Sequence, residues 1–195
     1  LVNNGLLTVP ADVILDDIDH NNKHRGVITN NGILFAPAAK WYENQNIDVN
    51  HEGEYEYVLS GVKNANLPQA IATVEDENRA DITGVELTGT SYNFTEKADY
   101  SAYDLYVTGD ATLVAPSCKF GNLTVRADAV TLDNDKTSTT EFGDVVIESG
   151  MLSIDNTRNA ASTLKCTDMT LFSGTTIKHA NQLDCANEAW SDGNT

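Results

Sequence analysis

The sequence predicts an all-β solenoid, a coil of short strands whose rungs stack along one axis. Three observations predict it. A short phrase ending in Pro recurs three times, a second phrase built around Asp or Asn recurs four times, and helical periodicity is nearly absent. Self-similarity at roughly 20–25 residues is the mark of stacked-repeat architectures.

The Pro-ending phrase opens the chain as LVNNGLLTVP (Leu1 to Pro10). It returns as VITNNGILFAP (Val27 to Pro37) and YVTGDATLVAP (Tyr106 to Pro116). Each copy is an apolar pair, a turn of Asn, Gly or Asp, a second apolar run, and Pro. The turn residues suit tight backbone, and Pro closes a strand because it has no N–H for a ladder. Residues 40 to 80 are the least regular part, with an alternating strand in EGEYEYVLSG (Glu52 to Gly61) and one helical turn over Pro68 to Val74.

The second half has the clearer register. Asp104, Asn122, Asp144 and Asp168 each precede an apolar–spacer–apolar triplet, at spacings of 18, 22 and 24 residues. Asp81-Ile82-Thr83 reads as a weaker earlier copy. Stacked at ~4.8 Å, rungs would hydrogen-bond as parallel strands. Leu105, Leu123, Val145 and Met169 would then form one aliphatic column. Phe120 would lie over Phe142, with Cys166 at the same position of the last copy. Variable spacing places insertions at the corners, and Lys136 to Glu141 and Asn156 to Ser162 read as such loops. Gln182 to Trp190 has Leu183, Ala186 and Trp190 at helical spacing and reads as a short amphipathic cap over the open end. The alternative fold is an antiparallel β-sandwich or jelly roll, which also uses short strands. The repeated Asp/Asn phrase counts against it, because sandwich strands have no reason to copy one another. The whole chain, 1–195, reads as one solenoid domain, clearest over 103–180, with the cap in 181–195.

Composition narrows the function classes. Apolar residues are 41% and charged residues 21%, which supports a packed core. With 12 Lys plus Arg against 29 Asp plus Glu, the formal charge is −17. Such a surface repels phosphate backbones, so nucleic acid is not an expected partner. No apolar run is long enough for a membrane-spanning helix. The three cysteines contain no C-x-x-C, and admit either one disulfide with a free thiol or three buried thiols. The chain opens on Leu1 rather than Met and reads as a processed product or a piece of a longer protein.

The phrases GNLTVRADAVTLDN, GDVVIESGMLSIDN and TDMTLFSGTTIKHA resemble rungs of bacterial surface-exposed right-handed parallel β-helices. They are similar to the passenger regions of autotransporter adhesins, to filamentous-haemagglutinin-like proteins and to the wider pectin-lyase-like superfamily. The resemblance covers Tyr103 to Ala180 and, in part, Leu1 to Pro37. It implies a single-stranded right-handed parallel β-helix in a bacterial extracellular or cell-surface setting. Such folds carry adhesins, phage fibres and polysaccharide-cleaving enzymes alike, so the fold does not choose the function. No catalytic motif of a lyase family accompanies the resemblance.

The candidate sites follow from residue chemistry. The Asp/Asn column could bind calcium or sugar, but Asp and Asn equally cap turns, and the calcium-binding G-G-x-G-x-D repeat is absent. Asp16, Asp17, Asp19, His20 and His24 form the densest polar cluster and offer oxygens and imidazoles to a divalent ion, Ca²⁺ first. Their order matches no EF-hand loop, and a solvated corner is the plainer reading. Tyr92, Tyr100 and Tyr103, with Tyr106 and Phe94, cluster in SYNFTEKADYSAY, and Trp41-Tyr42 forms a second aromatic pair. Exposed rings of this kind suit sugar stacking or a protein contact, and the plainer reading puts them in the rungs or along the side of the coil. Asp81 or Glu86 with Asp104 or Asp110 could face one groove as a carboxylate pair. Asn93-Phe94-Thr95 and Asn122-Leu123-Thr124 match glycosylation sequons, relevant only in a eukaryotic secretory host.

These readings together predict a non-catalytic surface or secreted module that displays loops to a glycan or protein partner and needs no cofactor. The competing expectation is a carbohydrate-active β-helix, either sugar-binding or polysaccharide-cleaving.

Overall fold

The computed structural model describes residues 1–9, 26–37, 47–51, 53–62, 82–94, 99–134, 137–154, 162–178 and 182–190. Every strand pair among them is parallel, which rules out the antiparallel sandwich. The strands follow the coils in order. The first three coils each contribute two: β1 (Val2–Asn3) and β2 (Leu6–Thr8), β3 (Gly26–Asn30) and β4 (Ile33–Pro37), β5 (Ile47–His51) and β6 (Glu56–Val62). Three-stranded coils follow: β7 (Gly84–Leu87), β8 (Ser91–Asn93) and β9 (Asp99–Tyr100), then β10 (Asp104–Val107), β11 (Ala111–Val114) and β12 (Lys119–Phe120). The next has β13 (Leu123–Val125), β14 (Ala129–Leu132) and β15 (Ser138–Glu141). The last strands are β16 (Asp144–Ile147), β17 (Met151–Ile154), β18 (Ser162–Leu171), β19 (Thr176–Lys178) and β20 (Leu183–Trp190).

Three ladders run along the axis. The first stacks β2, β4, β6, β7, β10, β13, β16, β18 and β20. The second stacks β8, β11, β14, β17 and β19, which makes about five turns with all faces formed. The third joins β9, β12, β15, β18 and β20, and β1, β3 and β5 form their own sheet in the first coils. β18 and β20 run straight through the corner where earlier coils break, so each belongs to two ladders.

One rung cannot bury its own apolar residues, so the core exists only between rungs. Leu59, Val85, Leu105, Leu123, Val145 and Met169 stand in register, and each is at most 1% exposed. On the second ladder Tyr92, Leu113, Leu132 and Ile154 do the same. Phe120 stacks on Phe142 with ring centroids 5.2 Å apart, and Tyr100 stacks on Phe120 at 5.3 Å, as the repeat predicts for the two phenylalanines. The next two positions of that column are Cys166 and Cys185, joined as a disulfide, while Cys118 is free and buried. Buried polar groups are matched in the same way. The Asn134 amide donates to Thr140 Oγ1 (2.9 Å), which donates to the Ala115 carbonyl (2.8 Å). Asn3 and Asn30 stack as a side-chain ladder at 2.8 Å.

Several expectations are corrected. Gln182 to Trp190 is no helix: Leu183–Trp190 is strand β20, because β18 offers it an edge. Within Lys136 to Glu141, Ser138–Glu141 is strand β15 rather than loop, paired with β12 and β18. Ser162 begins β18 rather than ending a loop. The earlier copy of the Asp phrase is centred on Gly84, which pairs with Asp104, and not on Asp81. The irregular region holds β5 and β6, so part of it is regular coil. The helical turn over Pro68 to Val74 and the remainder of the 156–161 loop lie outside the described residues.

Candidate functional site

The Asp/Asn column lies on the outer face of the first ladder, and its role is set by the residue before each Asx in the next coil. Asp104 Oδ1 accepts the Asn122 backbone N–H at 2.6 Å, and Asn122 Oδ1 accepts that of Asp144 at 2.8 Å. Each reaching side chain crosses a glycine. A Cβ on Gly121 would strike Asp104 Oδ1, and one on Gly143 would come within 2.6 Å of Asn122 Oδ1. Thr167 and Ala186 replace glycine in the last two coils. In the last coil, after Ala186, a side-chain bond spans the pair, Asn187 Nδ2 donating to Asp168 Oδ1 at 2.7 Å. Asp110 likewise accepts the Ala129 N–H at 2.8 Å. These oxygens serve the stacking of one coil on the next.

Three of the predicted aromatic residues, Tyr92, Tyr100 and Tyr103, are core. Tyr92 is 0%, Tyr100 5% and Tyr103 7% exposed, so their rings offer no surface for stacking a sugar. The Tyr92 hydroxyl donates to the Val62 carbonyl at 2.9 Å and accepts the Gly89 N–H, and burial pushes its pKa above the usual tyrosine value. Trp41, Tyr42, Asp81 and the cluster Asp16, Asp17, Asp19, His20 and His24 lie outside the described residues. Among the described residues no group of three or more His, Cys, Asp or Glu is placed to hold a metal ion.

A different group of polar side chains gathers on the first ladder's outer face. Glu86 and Tyr106 are neighbours in register on β7 and β10. Thr108 donates to Glu86 Oε1 at 2.8 Å. Tyr106 lies across Gly84, packs edge-on against Phe35 at 5.3 Å, and donates its hydroxyl to Glu56. Phe35, Val58 and Tyr106 thereby form a small buried cluster separate from the interior. The Arg126 guanidinium stands 5.9 Å from the Tyr106 ring centroid and forks onto Glu148 at 2.6 and 3.2 Å. Burial first, and then the Glu56 carboxylate, raise the Tyr106 pKa, so this hydroxyl stays protonated in neutral water. The Glu148 hydrogen bonds raise that of Arg126.

The three carboxylates and one guanidinium of this group sum to a formal charge of about −2, and the same outer face also carries the acids Asp104, Asp144 and Asp168. It therefore disfavours polyanions and presents hydrogen-bonding edges suited to neutral polyhydroxyl or cationic groups. Of these residues, sequence reasoning singled out Glu86 and Tyr106 but missed Glu56, Arg126 and Glu148. The signal was present: Thr108, Arg126 and Glu148 each follow the last inward apolar residue of a copy, at Val107, Val125 and Ile147. Among the described residues no helix is long and apolar enough to cross a membrane. Compared with protein-family models, with curated proteins and with solved structures, the chain finds no match.

Proposed function

We propose that the chain is a non-catalytic structural module, displayed at a bacterial cell surface or secreted, whose rigid coil presents side chains and corners to a glycan or protein partner. The observation that carries this reading is the use of the Asx column. Asp104, Asn122 and Asp110 accept backbone N–H groups of the following coil, which is the work of a scaffold. The Cys166–Cys185 disulfide supports an oxidising compartment, where such bonds form and persist. The resemblance of its rungs to surface β-helices supports the same setting. A panel of polysaccharides and surface proteins, assayed for binding and for cleavage, tests it. Binding without turnover is the expected result. Turnover that disappears in Glu86→Gln would overturn the reading.

The second reading is a carbohydrate-active module, favoured by Glu56, Glu86, Tyr106, Arg126 and Glu148 sharing one outer face. In that case Arg126→Ala, which removes the fork onto Glu148, weakens glycan binding at least tenfold. Unchanged glycan affinity in that variant counts against this face.

A further inference from the structure

We propose that a shallow trough on the outer face of the first ladder, running along the coil axis from Thr124 to Phe172, binds an extended neutral polysaccharide chain. The inference rests on the carbohydrate reading of this face and goes beyond it by fixing the direction and class of the ligand. Thr124, Val146 and Thr170 stand in register on β13, β16 and β18 and form the floor. They are short and half-buried. Tyr106, next in that column, is far larger and lies across Gly84, so the floor begins at Thr124. Two residues before each floor position stand Asn122, Asp144 and Asp168, all exposed, which make one rim. Two residues after each stand Arg126, Glu148 and Phe172, which make the other. Their N–H groups donate to the Val107, Val125 and Ile147 carbonyls of the preceding coil at 2.8, 2.9 and 3.0 Å, which holds this rim in register.

Each surface of the trough suits a sugar chain. The floor offers methyl groups to the C–H faces of pyranose rings. Phe172 is 46% exposed and points outward at the corner, where a ring stacks on a sugar face. Its backbone is already fixed. Thr175 donates both its N–H (3.1 Å) and its hydroxyl (2.7 Å) to the Phe172 carbonyl, and the turn closes through Gly174 at a φ of 85°. Little backbone ordering is therefore needed when the ring meets a ligand. The Arg126 fork onto Glu148 uses two of the five guanidinium N–H donors, so the pair is held in place and keeps hydrogen-bonding capacity for sugar hydroxyls. The Asp144 and Asp168 carboxylates accept hydroxyl donors from the other side. The same acids repel uronate or sulfated chains, which selects a neutral polymer. The floor crosses three coils, about 10 Å between its end rungs at ~4.8 Å per rung, so it takes several sugar units rather than one.

Titration calorimetry of the full chain with cello-, xylo- and manno-tetraose, with their monosaccharides and with oligogalacturonate tests this. At least one neutral tetrasaccharide should bind, roughly tenfold or more tighter than its monosaccharide, and oligogalacturonate should not bind. Phe172→Ala, and Thr124→Arg, which fills the floor, should each weaken binding by roughly tenfold. Lys119→Ala, on the third ladder, should leave it unchanged. Unchanged affinity in both trough variants, with Arg126→Ala still weakening it, would overturn the trough and leave the carbohydrate reading standing. No binding of any of the three tetrasaccharides would overturn both. A preference for oligogalacturonate, or for an oligolysine peptide over every sugar, would overturn the assignment to a neutral chain.

Discussion

Gly150 has a φ of 71°, and a Cβ there would run into the Ala127 carbonyl oxygen of the preceding coil. Both the left-handed backbone and the close approach exclude a side chain. Gly150→Ala is therefore expected to destabilise the fold by roughly 2–4 kcal/mol, measured by denaturant unfolding. A loss under about 0.5 kcal/mol would mean that the turn relaxes freely. Single residues also show what was readable in advance. The contact of Phe120 with Phe142 followed from their equal positions in two copies. The burial of Tyr103, just before β10, agrees with its reading as a rung residue, whereas that of Tyr92 and Tyr100 did not follow from the sequence, because β8 and β9 are only three and two residues long. Such strands are too short to show alternation, so SYNFTEKADYSAY reads as a surface loop.

At the scale of an element, the third ladder carries two columns with different weights. Inward, Tyr100, Phe120 and Phe142 stack as parallel rings, and Phe94 meets Phe120 edge-on at 4.9 Å. Outward, Asp99, Lys119, Glu141, Lys165 and Asp184 stand in register with alternating charge. The Lys119–Glu141 ion pair spans 3.3 Å, with the lysine side chain 57% exposed. Opposite charges on adjacent rungs favour this register over a slip, but an exposed pair contributes under about 1 kcal/mol. Phe120→Ala should cost about 3–5 kcal/mol, and Lys119→Ala less than about 1 kcal/mol, in parallel denaturant titrations. Equal losses would show that charge register rather than packing holds this ladder. The same scale explains the misread cap. Leu183, Ala186 and Trp190 satisfy a helical spacing, yet the free edge of β18 supplies main-chain hydrogen bonds that an isolated short helix cannot match.

For the whole molecule, the burial that builds the core also shapes its pH dependence. Burial raises the pKa of Tyr106, Tyr92 and Cys118 in the folded chain. The unfolded chain therefore releases these protons first. Their stabilising contribution is complete below about pH 8.5 and is lost as pH rises through the folded values. Stability should fall above about pH 9, by up to about 1.4 kcal/mol per pH unit for each group that has ionised only in the unfolded chain. Denaturant midpoints from pH 8 to 11 check this, and a flat profile would contradict it. The sequence alone determined the repeat, the parallel stacking, the aliphatic column and the Phe120–Phe142 contact, since each depends on a pattern that recurs along the chain. Tertiary structure decided which Asx side chains cap the next coil, which cysteines pair, and which acids share a face with Tyr106 and Arg126. Those contacts join residues one or more coils apart, and the insertions that vary rung length hide their register until the backbone has wound.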